Sequence, residues 1–312
     1  MKKFKNPYIQ DIKKSPLDVL FWKMGLYDSE GMDRLPPPGF SYNPPIKDLN
    51  KELPHVQWIN HSSFLISLHG KHFLTDPIWN HSCSPSRFFK IPRIHEPGIS
   101  IESLPAIDYV LISHNHYDHL DEKSVMSLYH HYPLITWIVP LGVKPWFLKR
   151  KITNVIELDW WEKSSDSEVS ITAVPSQHFS GRNPFNINKS LWCGFVIEAF
   201  SKNIYFCGDT GYNQFDFKKI GEKFKKMDLS MIPIGTYCPK RFMQPVHINP
   251  YEAVKIHLDV ESKFSIGMHW NTFRLSDEPL SRPPYDLVQA LKQANLTHEE
   301  FIALKLGQSI NF

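Results

Sequence analysis

Tyr109-Val110-Leu111-Ile112-Ser113-His114-Asn115-His116-Tyr117-Asp118-His119 begins as an apolar strand and ends as a set of metal ligands. Residues 109–112 form a strand-sized hydrophobic run. His114, His116, Asp118 and His119 follow at once, and all four are side chains that a borderline metal such as zinc accepts. A strand ending this way delivers several ligands to one sheet edge. Imidazole nitrogens and a carboxylate are what two adjacent Zn²⁺ ions need to turn water into a nucleophile. The alternative is a hydrated, histidine-rich loop.

Three further clusters argue against that alternative. Val169–Val174 leads to Pro175-Ser176-Gln177-His178. Asn203–Cys207 leads to Gly208-Asp209-Thr210-Gly211, and Phe264–Met268 leads to His269-Trp270. A lone His178 or His269 would read as a satisfied core histidine. Repetition of the pattern implies one rim where several strands deliver ligands.

These residues carry a resemblance. His114-x-His116-x-Asp118-His119, with His178, Asp209 and His269, resembles the metallo-β-lactamase superfamily of binuclear metal hydrolases. Leu74–Trp79, Ile112–Asp121, Val155–Trp161, Gly208–Tyr212 and Ile232–Gly235 are similar to the N-acyl phosphatidylethanolamine-hydrolysing phospholipase D family and its bacterial relatives. The similarity runs from Val56 to Leu306. It implies an α/β fold, the αββα sandwich, in which two mixed sheets lie face to face with helices outside and metals at one edge.

The resemblance also implies roles. His114, His116 and His178 would hold one Zn²⁺, and Asp118, His119 and His269 a second. Asp209 would bridge them, its charge offsetting repulsion between the ions. Asp76, in Leu74-Thr75-Asp76-Pro77, would accept a hydrogen bond from a ligand histidine and orient it; capping backbone amides is the simpler role. His247 would assist catalysis at a phosphoryl oxygen or the leaving alcohol, or else cap the helix after Pro250. Tyr117, Arg182 and Arg241 are candidate substrate contacts. Val246, where the mammalian enzyme has glutamine, and the segment Ser180–Ser190 depart from the family pattern.

The implied activity is a zinc phosphodiesterase of phospholipase D type. It would cleave N-acyl phosphatidylethanolamine to phosphatidic acid and N-acylethanolamine. A lactonase, a hydrolase of soluble phosphodiesters and a non-catalytic lipid-binding protein are the alternatives.

The rest of the chain bounds these readings. Its 312 residues are 42% hydrophobic, enough for a sizeable core, and contain no low-complexity linker. Residues 1–50, with Pro36-Pro37-Pro38 and Pro44-Pro45, read as an N-terminal arm, and 51–312 as one catalytic domain. A formal charge of +3 without a basic stripe argues against nucleic acid as a partner. Lys2, Lys3, Lys5, Lys13 and Lys14 stand near Leu17–Trp22, a combination that can touch an anionic membrane or simply pack on the domain.

Cys83, Cys193, Cys207 and Cys238 show no paired spacing and read as free thiols of a reducing compartment. No signal-peptide core and no membrane-length apolar run is apparent, so the expectation is cytoplasmic. Strands are expected at Val56–Ile59, Phe64–Leu68 and His72–Asp76. Helices are expected at Lys123–Tyr129, Pro145–Arg150, Phe217–Lys226, Tyr251–His257 and Tyr285–Ala294. Asn249-Pro250 marks one helix start, with Asn as N-cap.

Overall fold

The structure, a computed structural model, describes residues 3–9, 21–22, 24, 35–44, 48–84 and 90–312. The chain enters its first sheet through β1 (His55–Asn60), β2 (Ser63–Leu68) and β3 (Lys71–Thr75). It continues through β4 (Tyr109–Leu111), α1 (Glu122–His131), β5 (Thr136–Pro140), α2 (Lys144–Leu148) and β6 (Val155–Leu158). It then crosses to a second sheet made of β7 (Lys163–Ser165), β8 (Val169–Val174), β9 (Gly194–Ala199) and β10 (Lys202–Phe206). After α3 (Asp216–Phe224) come β11 (Leu229–Pro233), α4 (Lys240–Met243), α5 (Pro250–Asp259) and β12 (Ser265–Met268). Then α6 (Arg282–Gln293) leads to β13 (Phe301–Ile302), and β14 (Ser309–Asn311) returns to the first sheet.

Both sheets are seven-stranded and mixed, in the orders β14-β1-β2-β3-β4-β5-β6 and β13-β12-β11-β10-β9-β8-β7. Strand alternation divides the first sheet between two cores, because successive side chains point to opposite faces. Phe73, Leu111 and Ile138 join the core that holds residues of both sheets. Their neighbours Leu74, Val110 and Trp137 pack instead with Val125, Leu128 and Phe147 of α1 and α2. On the other side α5 packs on β11, α3 and α6. The layers are helix, sheet, sheet, helix.

Direction is what positions the site. β3 and β4 are parallel, and β10, β11 and β12 are parallel to one another. β1 and β3 share a direction because each is antiparallel to β2. β8 and β10 share one because each is antiparallel to β9. The C-terminal ends of β1, β3 and β4, and those of β8, β10, β11 and β12, carry the residues that meet at one edge.

Local chemistry explains most boundaries. Asn249 accepts from the Glu252 amide while Glu252 reaches back, a complete capping box, and Pro250 opens the helix. α6 starts earlier than expected, at Arg282, because Pro283 and Pro284 occupy the first turn, where no amide donor is needed. The strand β9 and the short helix α4 were not foreseen. Within residues 1–50, Asn6 Nδ2 donates to the His178 carbonyl at 2.8 Å, the Tyr8 ring meets that of Phe215, and Trp22 stacks on Phe242. Lys2, Lys13, Lys14 and Leu17–Leu20 lie outside the described residues. Cys83, Cys193, Cys207 and Cys238 are free and buried. Among the described residues no helix is long and apolar enough to cross a membrane.

Candidate metal centre

After β4 the chain runs irregularly through Ser113–Asn115 and closes a turn in which the Leu120 amide donates to the His116 carbonyl at 2.8 Å. Asp121 then caps α1, accepting from the Ser124 amide. A short loop clamped between strand and capped helix holds His114, His116, Asp118 and His119 on one side. The second sheet supplies His178 after β8, Asp209 after β10 and His269 after β12. Gly208, with φ +62, makes the turn into Asp209, and a Cβ there would lie 2.9 Å from that of Ser113.

These seven side chains meet in two adjoining groups. Ligand atoms of His114, His116 and His178 lie within 4.8 Å of one another, as do those of His61, Asp118, His119 and His269. His116 Nδ1 is 2.8 Å from His114 Nε2 and 3.2 Å from His178 Nε2. Asp118 Oδ2 is 3.2 Å from His119 Nε2 and 3.3 Å from His269 Nε2. Asp209 Oδ2 touches both groups, at 3.2 Å from His119 Nε2, 3.1 Å from His269 Nε2 and 3.8 Å from His178 Nε2.

Four of the imidazoles are anchored by the nitrogen that faces away. His119 Nδ1 donates to Asp76 Oδ2 at 2.6 Å. His114 Nδ1 donates to Ser113 Oγ at 2.9 Å, and that hydroxyl donates to Asp76 at 2.5 Å. His178 Nδ1 donates to the Val246 carbonyl at 2.8 Å, and His269 Nδ1 pairs with Thr236 Oγ1 at 3.1 Å. Each bond fixes tautomer and ring angle and turns Nε2 inward. Asp76 therefore holds two histidines, one directly and one through Ser113. Backbone strain gathers here as well: His61, Asp76, Thr236 and His269 have positive φ values of 42°, 30°, 67° and 60°.

The electrostatics separate the groups. Burial keeps His116 and His178 neutral, lowering them to about 4 and about 3. Burial, then the neighbouring His119, His116 and His178, holds His114 well below the usual range. Burial also opposes charge on His119 and His269, but Asp209 and Asp118 outweigh it. They lift His119 well above its ordinary value and His269 to about 9. Asp118 and Asp209 remain ionised despite burial, held far down by His119 above all. Two ionised carboxylates, Asp209 buried and Asp118 largely so, demand compensating positive charge.

A pair of dications fits these residues. His119 Nε2, His269 Nε2 and Asp209 Oδ1 are buried with no hydrogen-bond partner, an arrangement that costs free energy unless a cation takes the lone pairs. Imidazole and carboxylate donors are those of a zinc-type ion.

Other candidates have different surroundings. His247 Nδ1 lies 3.8 Å from Asp209 Oδ2 and forms a further close group with His178 and Asp209, apart from the two above, and the helix cap is Asn249 rather than His247. Arg182 Nη1 donates to the carbonyls of Asn115 and Leu120, and its guanidinium lies 3.8 Å over the Tyr117 ring. Tyr117 Oη donates in turn to the Arg182 carbonyl. Both side chains lock the ligand loop to the Ser180–Ser190 segment. Arg241 is exposed on α4. Sequence reading missed His61, whose Nε2 is 3.0 Å from Asp118 Oδ2. Its signal was there: Val56–Ile59 is a strand, and His61 stands just past its end.

Comparison with known proteins gives a consistent outcome. Residues 71–270 match the model of the beta-lactamase superfamily domain. N-acyl-phosphatidylethanolamine-hydrolyzing phospholipase D 1 of Caenorhabditis elegans is 37% identical over 262 residues, 80% of this chain and 74% of that protein. The mitochondrial N-acyl-phosphatidylethanolamine-hydrolyzing phospholipase D of Saccharomyces cerevisiae is 37% identical over 237 residues, 72% of this chain and 49% of that protein. This chain thus spans about half the length of the yeast relative. Among solved structures, a metallo hydrolase from Ignicoccus hospitalis superposes with a TM-score of 0.62 at 20% identity, over 83% of this chain and 98% of that one. With its sandwich of mixed sheets and its rim of histidines and aspartates, the chain belongs to the beta-lactamase superfamily, as a metal-dependent hydrolase of the metallo-β-lactamase fold.

Proposed function

We propose that this chain is a phosphodiesterase of phospholipase D type that holds two Zn²⁺ ions and cleaves N-acyl phosphatidylethanolamine or a close phosphodiester relative. The observation that carries the reading is Asp209, a buried carboxylate within reach of both ligand groups. His114, His116 and His178 would hold one ion, and Asp118, His119 and His269 the other. The ions would supply an activated water and offset charge on the phosphoryl oxygens. The names of relatives at 37% identity support the lipid substrate class.

This chain's own residues do the rest. Asp76, Ser113, Thr236 and the Val246 carbonyl keep the imidazoles aimed inward, so little reorganisation accompanies reaction. His247 stands beside the centre without belonging to either group and would protonate the leaving alcohol oxygen. Phe185 is 85% exposed on the loop that Arg182 ties to the ligand loop, with Ile187 also exposed. Such exposed apolar side chains on this loop suit a substrate presented at a lipid surface. We place the protein in the cytoplasm, in peripheral contact with membrane, on the strength of these residues and the free buried thiols.

In the reaction, water forms a new bond to phosphorus and the bond from phosphorus to the ethanolamide oxygen breaks. Turnover in ¹⁸O-labelled water should place label in phosphatidic acid. Label in the ethanolamide would exclude attack at phosphorus. Turnover of lactones without turnover of any phosphodiester would move the chain to another reaction of the same superfamily.

A further inference from the structure

His61 shares a group with Asp118, His119 and His269, yet the ligand motif does not contain it. It is 1% exposed, in the turn between β1 and β2. Its backbone is strapped to the segment that carries His269. The His61 amide donates to Thr272 Oγ1 at 2.7 Å, and its carbonyl accepts from the His269 amide at 3.0 Å and from Trp58 Nε1 at 3.0 Å. The ring lies 4.1 Å from that of His269 and edge-on to Phe273 at 5.3 Å. The left-handed backbone, φ +42, is thereby held in place. His61 Nε2 then meets Asp118 Oδ2 at 3.0 Å.

The tautomer follows from bookkeeping of buried polar atoms. His61 Nδ1 is buried with no partner. A hydrogen left there would be an orphaned donor, whereas a bare lone pair is the milder defect. The hydrogen therefore sits on Nε2 and is donated to Asp118. The accepting oxygen is the one that lies 3.2 Å from His119 Nε2 and 3.3 Å from His269 Nε2.

From this geometry we infer that His61 is a positioning residue: its Nε2–H fixes the Asp118 carboxylate and thereby sets the affinity of one of the two metal positions, the one built from Asp118, His119 and His269. The inference rests on the metal-centre reading above. His61 ties the loop after β4 to the turn after β12, which also meet directly where Asp118 and His119 face His269. Its effect is confined to one position, because its contacts run to Asp118, His119 and His269 and not to the group formed by His114, His116 and His178.

The test is a stepwise Zn²⁺ titration of the full chain against a chromophoric chelator. Wild-type protein should bind two ions. His61→Phe keeps a ring against His269 and Phe273 but removes the donor. It should weaken one ion about 10–100-fold and leave the other unchanged, the usual range for loss of a partner to a ligand. His61→Gln restores an N–H near the Nε2 position and should recover most of the loss. Circular dichroism and thermal melting of the metal-free variants separate folding from binding. Two ions bound by His61→Phe with wild-type affinity would overturn the inference. So would equal weakening at both positions, or a loss that Gln does not rescue. A wild-type protein that binds no Zn²⁺ would instead refute the metal-centre reading itself.

Discussion

Asp209 carries the largest expected effect at the scale of single residues. Asp209→Asn preserves shape but removes the charge that both ligand groups face. Turnover should fall on the order of 10² or more at full metal loading, measured as kcat with metal content assayed on the same sample. His247 should behave differently because it lies outside both groups. His247→Ala should retain both ions while the rate falls roughly 10–10³-fold, as for loss of a proton donor. Unchanged kinetics would leave His247 with no chemical role. Much of this rim was legible in the sequence, because ligand side chains just past apolar runs are a local signal. His61 carried the same signal, just past Val56–Ile59, but only the direction of β1 shows that this strand end lies at the rim. The engagement of Arg182 with Tyr117 and two carbonyls was equally hidden, because it joins segments that only the fold brings together.

At the scale of elements, α5 and β12 meet through a buried hydrogen bond to one titratable group. His257 Nδ1 lies 2.8 Å from Ser265 Oγ, and burial lowers the imidazole to about 4. In the unfolded chain the same group titrates near 6.5. Between those values the unfolded chain binds a proton that the folded one refuses. Stability from this group is therefore complete above about pH 6.5 and declines as pH falls toward about 4. The loss should be on the order of 3 kcal/mol. Urea melts of chelated wild type and His257→Gln at pH 7 and pH 5 would show it: the variant should lose less stability on acidification. The start of α5 was readable beforehand, since Asn249, Pro250 and Glu252 are adjacent in sequence and act on one another. The strand β9 and the four-residue α4 were not, and neither was the pairing of β14 with β1, which depends on residues far apart in the chain.

The whole molecule is organised around a seam. Each proposed metal position would take two side chains from the loop after β4 and one from the second sheet, and Asp209 of the second sheet faces both. Binding energy at such positions is also folding energy. Removal of metal should lower the melting temperature, and added Zn²⁺ should restore it, by about 4 kcal/mol of stabilisation per site at a thousandfold excess over Kd. Calorimetry with and without chelator measures this.

The division of ligands also bears on what happens when the backbone is cut. The chain passes from the first sheet to the second between Leu158 and Lys163, and the next exposed turn, at Ser167, offers a protease an entry. A single nick there leaves His61, Asp76 and His114–His119 on one fragment, and His178, Asp209, His247 and His269 on the other. Neither fragment owns a complete set, so each proposed ion would become a cross-link between two polypeptides. The nicked protein should run as one species on a sizing column with Zn²⁺ present, and chelator should let the fragments part at a lower urea concentration.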